Sequence, residues 1–377
     1  MLSLPAIAAL AAILTKVAVA APLMDTLLEI PELSTYAHVY NMTGGIVEIN
    51  PMFTKRFNYD TDTRNYTFLA PTNAAWAKIP SAIYDILLTQ PAYPLIEALL
   101  RTHIIEARLT AAELASVSAD SAVGGIATAL QLSNTTAQFH RGVLTKTVQG
   151  YYIDATTSAN GTVRLDDQAA IVKADLPADN GLIHEIDQLV DPFLVYGGGP
   201  SNRTTAPSYE STDLTIGAFV QSDARLVNAS QILSVNSPDT IRRLSRQSSE
   251  KQFFVVPRNE AFELMPTILP VFHTLVSPYK SPFDTLLWQY GWVDSGGEQF
   301  DSRTLVGKSS LSVASDVTGL NITVTREEED AAVFVMNAGL VTQVEAANGF
   351  LWIVDRWLDP LYQAFGPVDR FGEPEWA

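Results

Sequence analysis

The sequence has 377 residues and no cysteine. Disulfides, thiolate metal sites, iron–sulfur clusters and a cysteine nucleophile are therefore excluded, and stability has to come from the size of the apolar cores. Charge is sparse and lopsided. Lys and Arg number 24 against 41 Asp and Glu, for a formal net charge of -17. Duplex nucleic acid and anionic lipid are held through Lys and Arg contacts. A chain with this balance and no basic run is read as binding no nucleic acid, and its acidity as serving solubility. The five histidines are scattered without ligand spacing, so no metal site is expected. Past residue 20 no apolar stretch reaches the ~20 residues that a membrane-spanning helix needs. The mature chain is expected to have no membrane span.

What is present is apolar content, 47% of residues. That is enough for a core in each of the two domains that the length suggests at roughly 150 residues apiece. Residues 2–14 are almost wholly apolar and lead into Ala18-Val19-Ala20, a small-x-small pattern. This predicts a secretory signal peptide over residues 1–20. The polar end, from Phe371 to Ala377, lacks the apolar tail of a glycolipid-anchor signal. Asn41, Asn65, Asn134, Asn160, Asn202, Asn228 and Asn321 each open an Asn-x-Ser/Thr sequon, as suits a secreted glycoprotein. Asn160, in an Asn-Gly turn, and Asn202, in a linker, are expected to be the most accessible. Asn65 abuts an expected buried strand and is expected to be the least.

Residues 196–210 are rich in Gly, Pro, Ser and Thr without apolar periodicity and read as that linker. The halves on either side resemble each other. Phe68-Leu-Ala-Pro-Thr-Asn73 recurs as Phe254-Val-Val-Pro-Arg-Asn259. Leu99-Leu100 with Thr102-His103 recurs as Leu286-Leu287 with Gln289-Tyr290. Asn180-Gly-Leu-Ile-His-Glu-Ile-Asp187 recurs as Asn348-Gly-Phe-Leu-Trp-Ile-Val-Asp355, each followed by Asp-Pro. The expected organisation is a signal peptide (1–20), a first domain (21–195), the linker (196–210), a second domain (211–364) and a tail (365–377). Each domain is expected to have its own core.

Within the first half, helical spacing comes early, at Leu27, Leu28 and Ile30, at Tyr36, Val39 and Tyr40, and at Leu95, Ile96, Leu99, Leu100 and His103. A strand from Tyr66 to Ala70 runs into Pro71, which cannot donate to a ladder. Thr72 is placed to cap a short helix over Asn73 to Lys78. Strands come late: a hairpin around Asn160-Gly161, a run from Ala170 to Ala174, and Leu182 to Ile186. In the second half Leu320 to Thr325 alternates cleanly and pairs with Ala332 to Met336. Helices grouped early and strands grouped late indicate an α+β class.

These segments resemble the fasciclin-like domain family, including its fungal members. Thr67-Phe-Leu-Ala-Pro-Thr-Asn-Ala-Ala-Trp76 is similar to the family's first signature. Asn180 to Asp187, with Pro192, is similar to its second. Thr102-His103 matches in part the Tyr-His segment between them. The second copy departs from the pattern at Arg258, Gln289-Tyr290 and Trp352. The resemblance implies two tandem domains, each a β-sandwich-like wedge with helices packed along it. It also implies a non-enzymatic adhesion or matrix-binding role through protein or glycan partners, outside the cell or at its surface or wall.

On that basis Thr102, His103, His184 and Asp187 are candidates for partner contact. Asp187 is placed to orient His184, and a structural role for both histidines is the competing reading. No catalytic residue or cofactor site is expected. Asp60-Thr-Asp62-Thr-Arg64 starts like a calcium loop and lacks the later ligands. Glu327 to Asp330 reads as a solvated hairpin tip. Asp294-Ser-Gly296 has no second Asp-Thr/Ser-Gly to share a proton. The alternative function is a secreted carrier that takes a small ligand or glycan in a groove or between the domains.

Overall fold

The computed structural model describes residues 21–45, 64–88, 93–121, 125–129, 152–190, 201–247, 250–262, 288–294, 296–305, 309–317, 320–326 and 331–359. Residues 1–20, the first third of the linker (196–200), Asn134, Glu327 to Asp330 and the tail lie outside them, as does most of Asp60 to Arg64.

The first half opens with helices α1 (Leu23–Glu29) and α2 (Ser34–Gly45). Strand β1 (Tyr66–Pro71) follows, then α3 (Asn73–Trp76), α4 (Ser81–Leu87) and α5 (Tyr93–Thr102). After β2 (Ile104–Ile105) and α6 (Ala111–Asp120) come β3 (Ile126–Ala127), β4 (Tyr152–Ile153), β5 (Ala155–Thr157), β6 (Val163–Leu165), β7 (Ala169–Ala178) and β8 (Gly181–Ile186). The second half repeats the order: β9 (Ser208–Ser211), α7 (Ile216–Ser222), α8 (Val227–Asn236), α9 (Pro238–Leu244), β10 (Gln252–Pro257), β11 (Trp292–Val293), β12 (Ser309–Ala314), β13 (Asn321–Arg326), β14 (Val333–Val335), β15 (Ala338–Ala346) and β16 (Gly349–Val354). The expected α+β layout holds. β13 and β14 pair antiparallel, as their alternation predicts.

Each half builds its own sheet. The first is ordered β2-β1-β8-β7-β6-β5, the second β11-β10-β16-β15-β14-β13-β12 with β9 added beside β15. In each, an early strand lies parallel to the last one. β1 pairs β8 from Tyr66↔Gly181 to Pro71↔Ile186, and β10 pairs β16 from Gln252↔Gly349 to Pro257↔Val354. A parallel pair needs a long crossover, and here the intervening helices and hairpins supply it. Every residue of β1, β8, β10 and β16 is buried.

In the first half that burial has a cause on each face of the sheet. Phe68, Ala70, Ile104 and Ile183 join the apolar cluster that includes the early helices. Leu69, Ile105 and Ile186 join a second cluster with Leu114 of α6. The larger cluster is not confined to one half. It also contains the buried side chains of the second half, from Ile216 to Leu358. The sheets are separate, as the duplication predicts, while the apolar interior expected to divide in two is contiguous.

The sheet edges are protected in two ways. Beside β15 the linker's end, β9, adds a parallel strand, Thr342↔Ser208 to Glu345↔Ser211. The matching stretch of β7 is irregular, with register shifts between Ile171 and Leu176. It carries Lys173, Asp175 at φ 60° and Pro177. A charge, a bulge and a proline are the usual ways of blunting an exposed edge.

Two turns repay attention. The Asn160-Gly161 hairpin is wider than a two-residue turn. Gly161 N donates to Ser158 O at 2.9 Å, Ser158 N donates to Thr162 O at 2.9 Å, and Gly161 sits at φ 84°. That is a type I turn ending in a left-handed glycine, the usual three-residue hairpin. The β6–β7 turn places Asp166 and Asp167 at φ 52° and 54°, closed by Gln168 N on Leu165 O at 2.9 Å. Two consecutive left-handed non-glycine residues are strained. Asp166 is compensated, because its carboxylate accepts from Asp154 N at 2.7 Å. Replacing Asp167 with glycine should therefore stabilise the protein by about 1 kcal/mol. Urea unfolding of Asp167→Gly beside the unaltered protein measures it, with a smaller gain or a loss expected for Asp166→Gly.

Candidate functional site

The signature segments meet where β1 and β8, or β10 and β16, lie side by side. Gly181 and Gly349 open the last strands because nothing larger fits. A Cβ at Gly181 would overlap the Tyr66 carbonyl oxygen, and one at Gly349 the Gln252 carbonyl oxygen. The asparagine before each glycine reaches back to the start of its own half. Asn180 Oδ1 accepts from Leu23 N at 2.9 Å, and Asn348 Oδ1 accepts from Ile216 N at 2.8 Å. Each thereby satisfies an otherwise unpaired N–H at the first residue of the first helix of its unit. Asn348 Nδ2 also donates to Leu244 O and Arg246 O at 2.8 Å each.

The other signature asparagine makes an equivalent tie. Asn73 Oδ1 accepts from Thr35 N at 2.9 Å and its amide donates to Pro31 O at 2.8 Å. Asn259 Oδ1 accepts from Asn228 N at 3.1 Å and its Nδ2 donates to Ala224 O at 2.8 Å. Thr35 and Asn228 are the second residues of α2 and α8. Thr72 caps its own helix as expected, accepting from Ala75 N at 3.2 Å. Asn259 does not replace it in that role. Asn259–Phe262 is a 3-10 turn, and the Asn259 amide serves α8. These four asparagines tie the repeated segments to the early helices of each unit. The signal that finds them is internal: asparagine stays in both copies while Thr72 becomes Arg258 and His184 becomes Trp352.

Thr102 and His103 are both buried. Thr102 Oγ1 donates to Leu99 O at 2.6 Å. His103 Nδ1 lies 2.7 Å from the same oxygen, and His103 Nε2 accepts from Val190 N at 3.0 Å. An accepting Nε2 fixes the neutral ring with its proton on Nδ1. Burial pushes its pKa down to about 4. The sequence pairs His103 with Tyr290, but the register moves this by one. β2 pairs β1 at Phe68↔Ile104, and β11 pairs β10 at Phe254↔Trp292. His103 O accepts from Leu69 N at 2.9 Å, and Gly291 O accepts from Val255 N at 2.8 Å. The counterpart of His103 is therefore Gly291, and that of Thr102 is Tyr290, whose hydroxyl donates to Asn321 O at 3.1 Å. A Cβ at Gly291 would stand 3.3 Å from Leu358 Cδ1. Leu358 is the counterpart of Val190, so apolar packing replaces the imidazole bond.

His184 is fully buried on the sheet face opposite Ile183. Its Nδ1 accepts from Asp175 N at 3.0 Å, and its Nε2 lies 2.9 Å from Leu109 O. Burial again lowers its pKa from the ordinary value. Asp187 does not orient it. Asp187 Oδ1 accepts from Ala170 N at 2.7 Å, as Asp355 Oδ1 accepts from Gly339 N at 2.8 Å. The acid near His184 is Asp175, 3.8 Å from Nδ1. In the second unit Trp352 holds the position and donates from Nε1 to Gln343 Oε1 at 3.2 Å. The structure thus brings Thr102, His103, His184 and Asp187 into the frame of one unit and gives each a main-chain partner. Thr102 and both histidines offer no surface. Among the described residues no three His, Asp or Glu side chains are grouped to hold a metal ion.

Two α+β units of one topology, stitched by the same asparagines, glycines and aspartates, define a tandem-repeat protein. Residues 32–192 match the fasciclin domain model, so the first unit is a fasciclin domain. Among its curated relatives is transforming growth factor-beta-induced protein ig-h3 of pig (Sus scrofa), 29% identical over 126 residues, which are 33% of this chain and 15% of that protein. The rabbit (Oryctolagus cuniculus) protein of the same name is 30% identical over 125 residues, 33% of this chain and 14% of its own length. Protein sll1483 of Synechocystis is 28% identical over 127 residues, 34% of this chain and 55% of that protein. The chain therefore matches only a small part of the two animal proteins. A solved FAS1 domain pair from the insect cell adhesion molecule Fasciclin I is 17% identical, with 89% of this chain and 98% of that one covered at a TM-score of 0.29.

The asparagine ties predict equal effects in both units. Asn73→Ala and Asn259→Ala each remove a bond to a helix N-terminus and a donor to a main-chain carbonyl. Each should destabilise its own unit by about 1–2 kcal/mol. Chemical denaturation followed by hydrogen exchange of each unit's peptides checks this, the loss being expected in the mutated unit first.

Proposed function

We propose that this chain is a secreted, non-enzymatic adhesion or matrix-binding glycoprotein. Its two fasciclin-like units, residues 21–195 and 211–364, present surfaces to extracellular protein or glycan partners. The observation that carries this reading is where the signature side chains go. In both units the asparagines and aspartates of the repeated segments bind main-chain groups, and the two histidines do the same in the first. What the copies share is a scaffold, so recognition falls to the surfaces that the scaffold displays. Thr102, His103 and His184 then act on a partner only by holding the surface above them. Duplication turns a second weak contact into an intramolecular one. Large exposed apolar side chains occur on both units, among them Val172 and Leu28 on the first and Val235 and Val227 on the second. Among the described residues no helix is long and apolar enough to cross a membrane.

The glycoprotein part of the reading rests on the sequons. Asn41, Asn65, Asn160, Asn202 and Asn321 are exposed, and Asn228 is half-buried. Asn65 is more open than its place beside β1 suggests, since the strand buries only from Tyr66 onward.

The test is cell attachment and solid-phase capture with the full chain from a secreting host, native and enzymatically deglycosylated, coated over a range of densities. The expected result is attachment that rises more steeply than coating density, with glycans found on the exposed sequons by glycopeptide mapping. A chain that is retained inside the cell, or that captures neither cells nor matrix components in either form, would falsify the proposal.

A further inference from the structure

The first unit contains two titratable rings with no counterpart in the second. Each accepts a main-chain N–H, Val190 on His103 Nε2 and Asp175 on His184 Nδ1, both at 3.0 Å. The other nitrogen of each faces a carbonyl oxygen, Leu99 O at 2.7 Å and Leu109 O at 2.9 Å. An imidazolium has two donors and no acceptor. Protonation therefore sets two N–H groups against each other at both places and leaves the Val190 and Asp175 amides without their partners. Further bonds hold the segments that these rings tie down. Residues 107–111 are held to β1 by Thr67, whose hydroxyl donates to Ala107 O at 2.7 Å and accepts from Leu109 N at 2.9 Å. They are held to the β7 bulge by Ala111 N on Asp175 Oδ1 at 3.0 Å. We propose that the first unit opens in acid along a seam comprising residues 107–111, the bulge at 173–176 and the strand exit at 189–190, while the second unit stays closed.

The groups that face the two rings are few. His184 has the Asp175 carboxylate at 3.8 Å, half-exposed, with the Lys173–Glu185 pair beside it at 2.9 Å. From the 107–113 side come Arg108, which donates to Ala178 O, and Glu113, held on Thr110. His103 faces the Tyr36 ring, 6.4 Å away between centroids. Asp175 and the two carbonyls favour the charged rings, and burial outweighs them in both. An opened histidine takes its proton near the ordinary 6.5, whereas His103 in place takes it at about 4. The open form thus binds more protons between those values, and the closed form loses ground as pH falls through that window. At about pH 5 His103 alone should favour opening roughly 20-fold over pH 7. Gly291 and Trp352, at the matching positions of the second unit, do not titrate.

Hydrogen exchange of the full chain at about pH 7 and pH 5, corrected for intrinsic rates, tests this. Peptides over 99–111 and 173–190 should open at least ~10-fold more often in acid, and those over 289–293 and 343–358 should not. Imidazole NMR on the same protein should show both rings titrating below 6.5, His103 at about 4. His184→Gln, which keeps an acceptor, should lower the acid response at 173–176 and leave that at 189–190. If this variant does not fold, the exchange pattern and the titration decide alone. Equal loosening of both units would assign the acid effect to carboxylates at large and overturn the proposal. Rings that titrate near 6.5 without opening of the seam would overturn it too.

Discussion

Each unit depends on a parallel strand pair whose members are far apart in sequence, β1 with β8 and β10 with β16. A long crossover brings them together, and all the helices of the unit are hung on it or before it. The pair closes at Tyr66↔Gly181 and Gln252↔Gly349, where a side chain would collide with the neighbouring strand's carbonyl. One dipeptide thereby settles several matters. Its glycine lets the strands approach, and its asparagine ties the start of the unit to the end. Ala21 and Leu214 lie at that junction as well, since their carbonyls accept from Asp179 N at 3.0 Å and Ala347 N at 2.9 Å. The start of each unit is fixed against the turn that opens its last strand, which is what makes it a repeatable module.

The two copies differ where this frame leaves freedom. A buried polar ring is tolerable only with partners for both nitrogens. His103 and His184 have them, and in the second unit different packing fills the same places. Trp352 finds Gln343, and Leu358 packs toward Gly291. The edges differ for a related reason. An edge strand must be paired or blunted. The second unit pairs it with β9, and the first blunts it with Lys173, Asp175 and Pro177. Neither solution changes the order of strands.

A scaffold of this kind separates fold from recognition. The residues that recur are committed inward to main-chain groups, and the exposed side chains are those that the frame holds without constraining. The same commitment makes the histidines sensitive elements: their neutral form is a structural requirement of the first unit alone. The chain is acidic overall, and among the described residues two arginines are each held between two acids. Arg225 lies between Glu210 and Asp223, and Arg303 between Asp301 and Glu345.

Local signals in the sequence determined the α+β order, the duplication, the proline-stopped strands and the Thr72 cap. Each of those depends on residues a few positions apart, so a single chain displays them. Only the tertiary structure decided which residue of the second unit stands where His103 stands, that Asp187 serves Ala170 and not His184, and that the amides of Asn73 and Asn259 cap helices other than their own. It also merged the apolar interior that two separate sheets had suggested would divide. The physical reason is the same throughout. A side chain's partner is set by register between strands distant in sequence, and a shift of one residue exchanges every face and every neighbour.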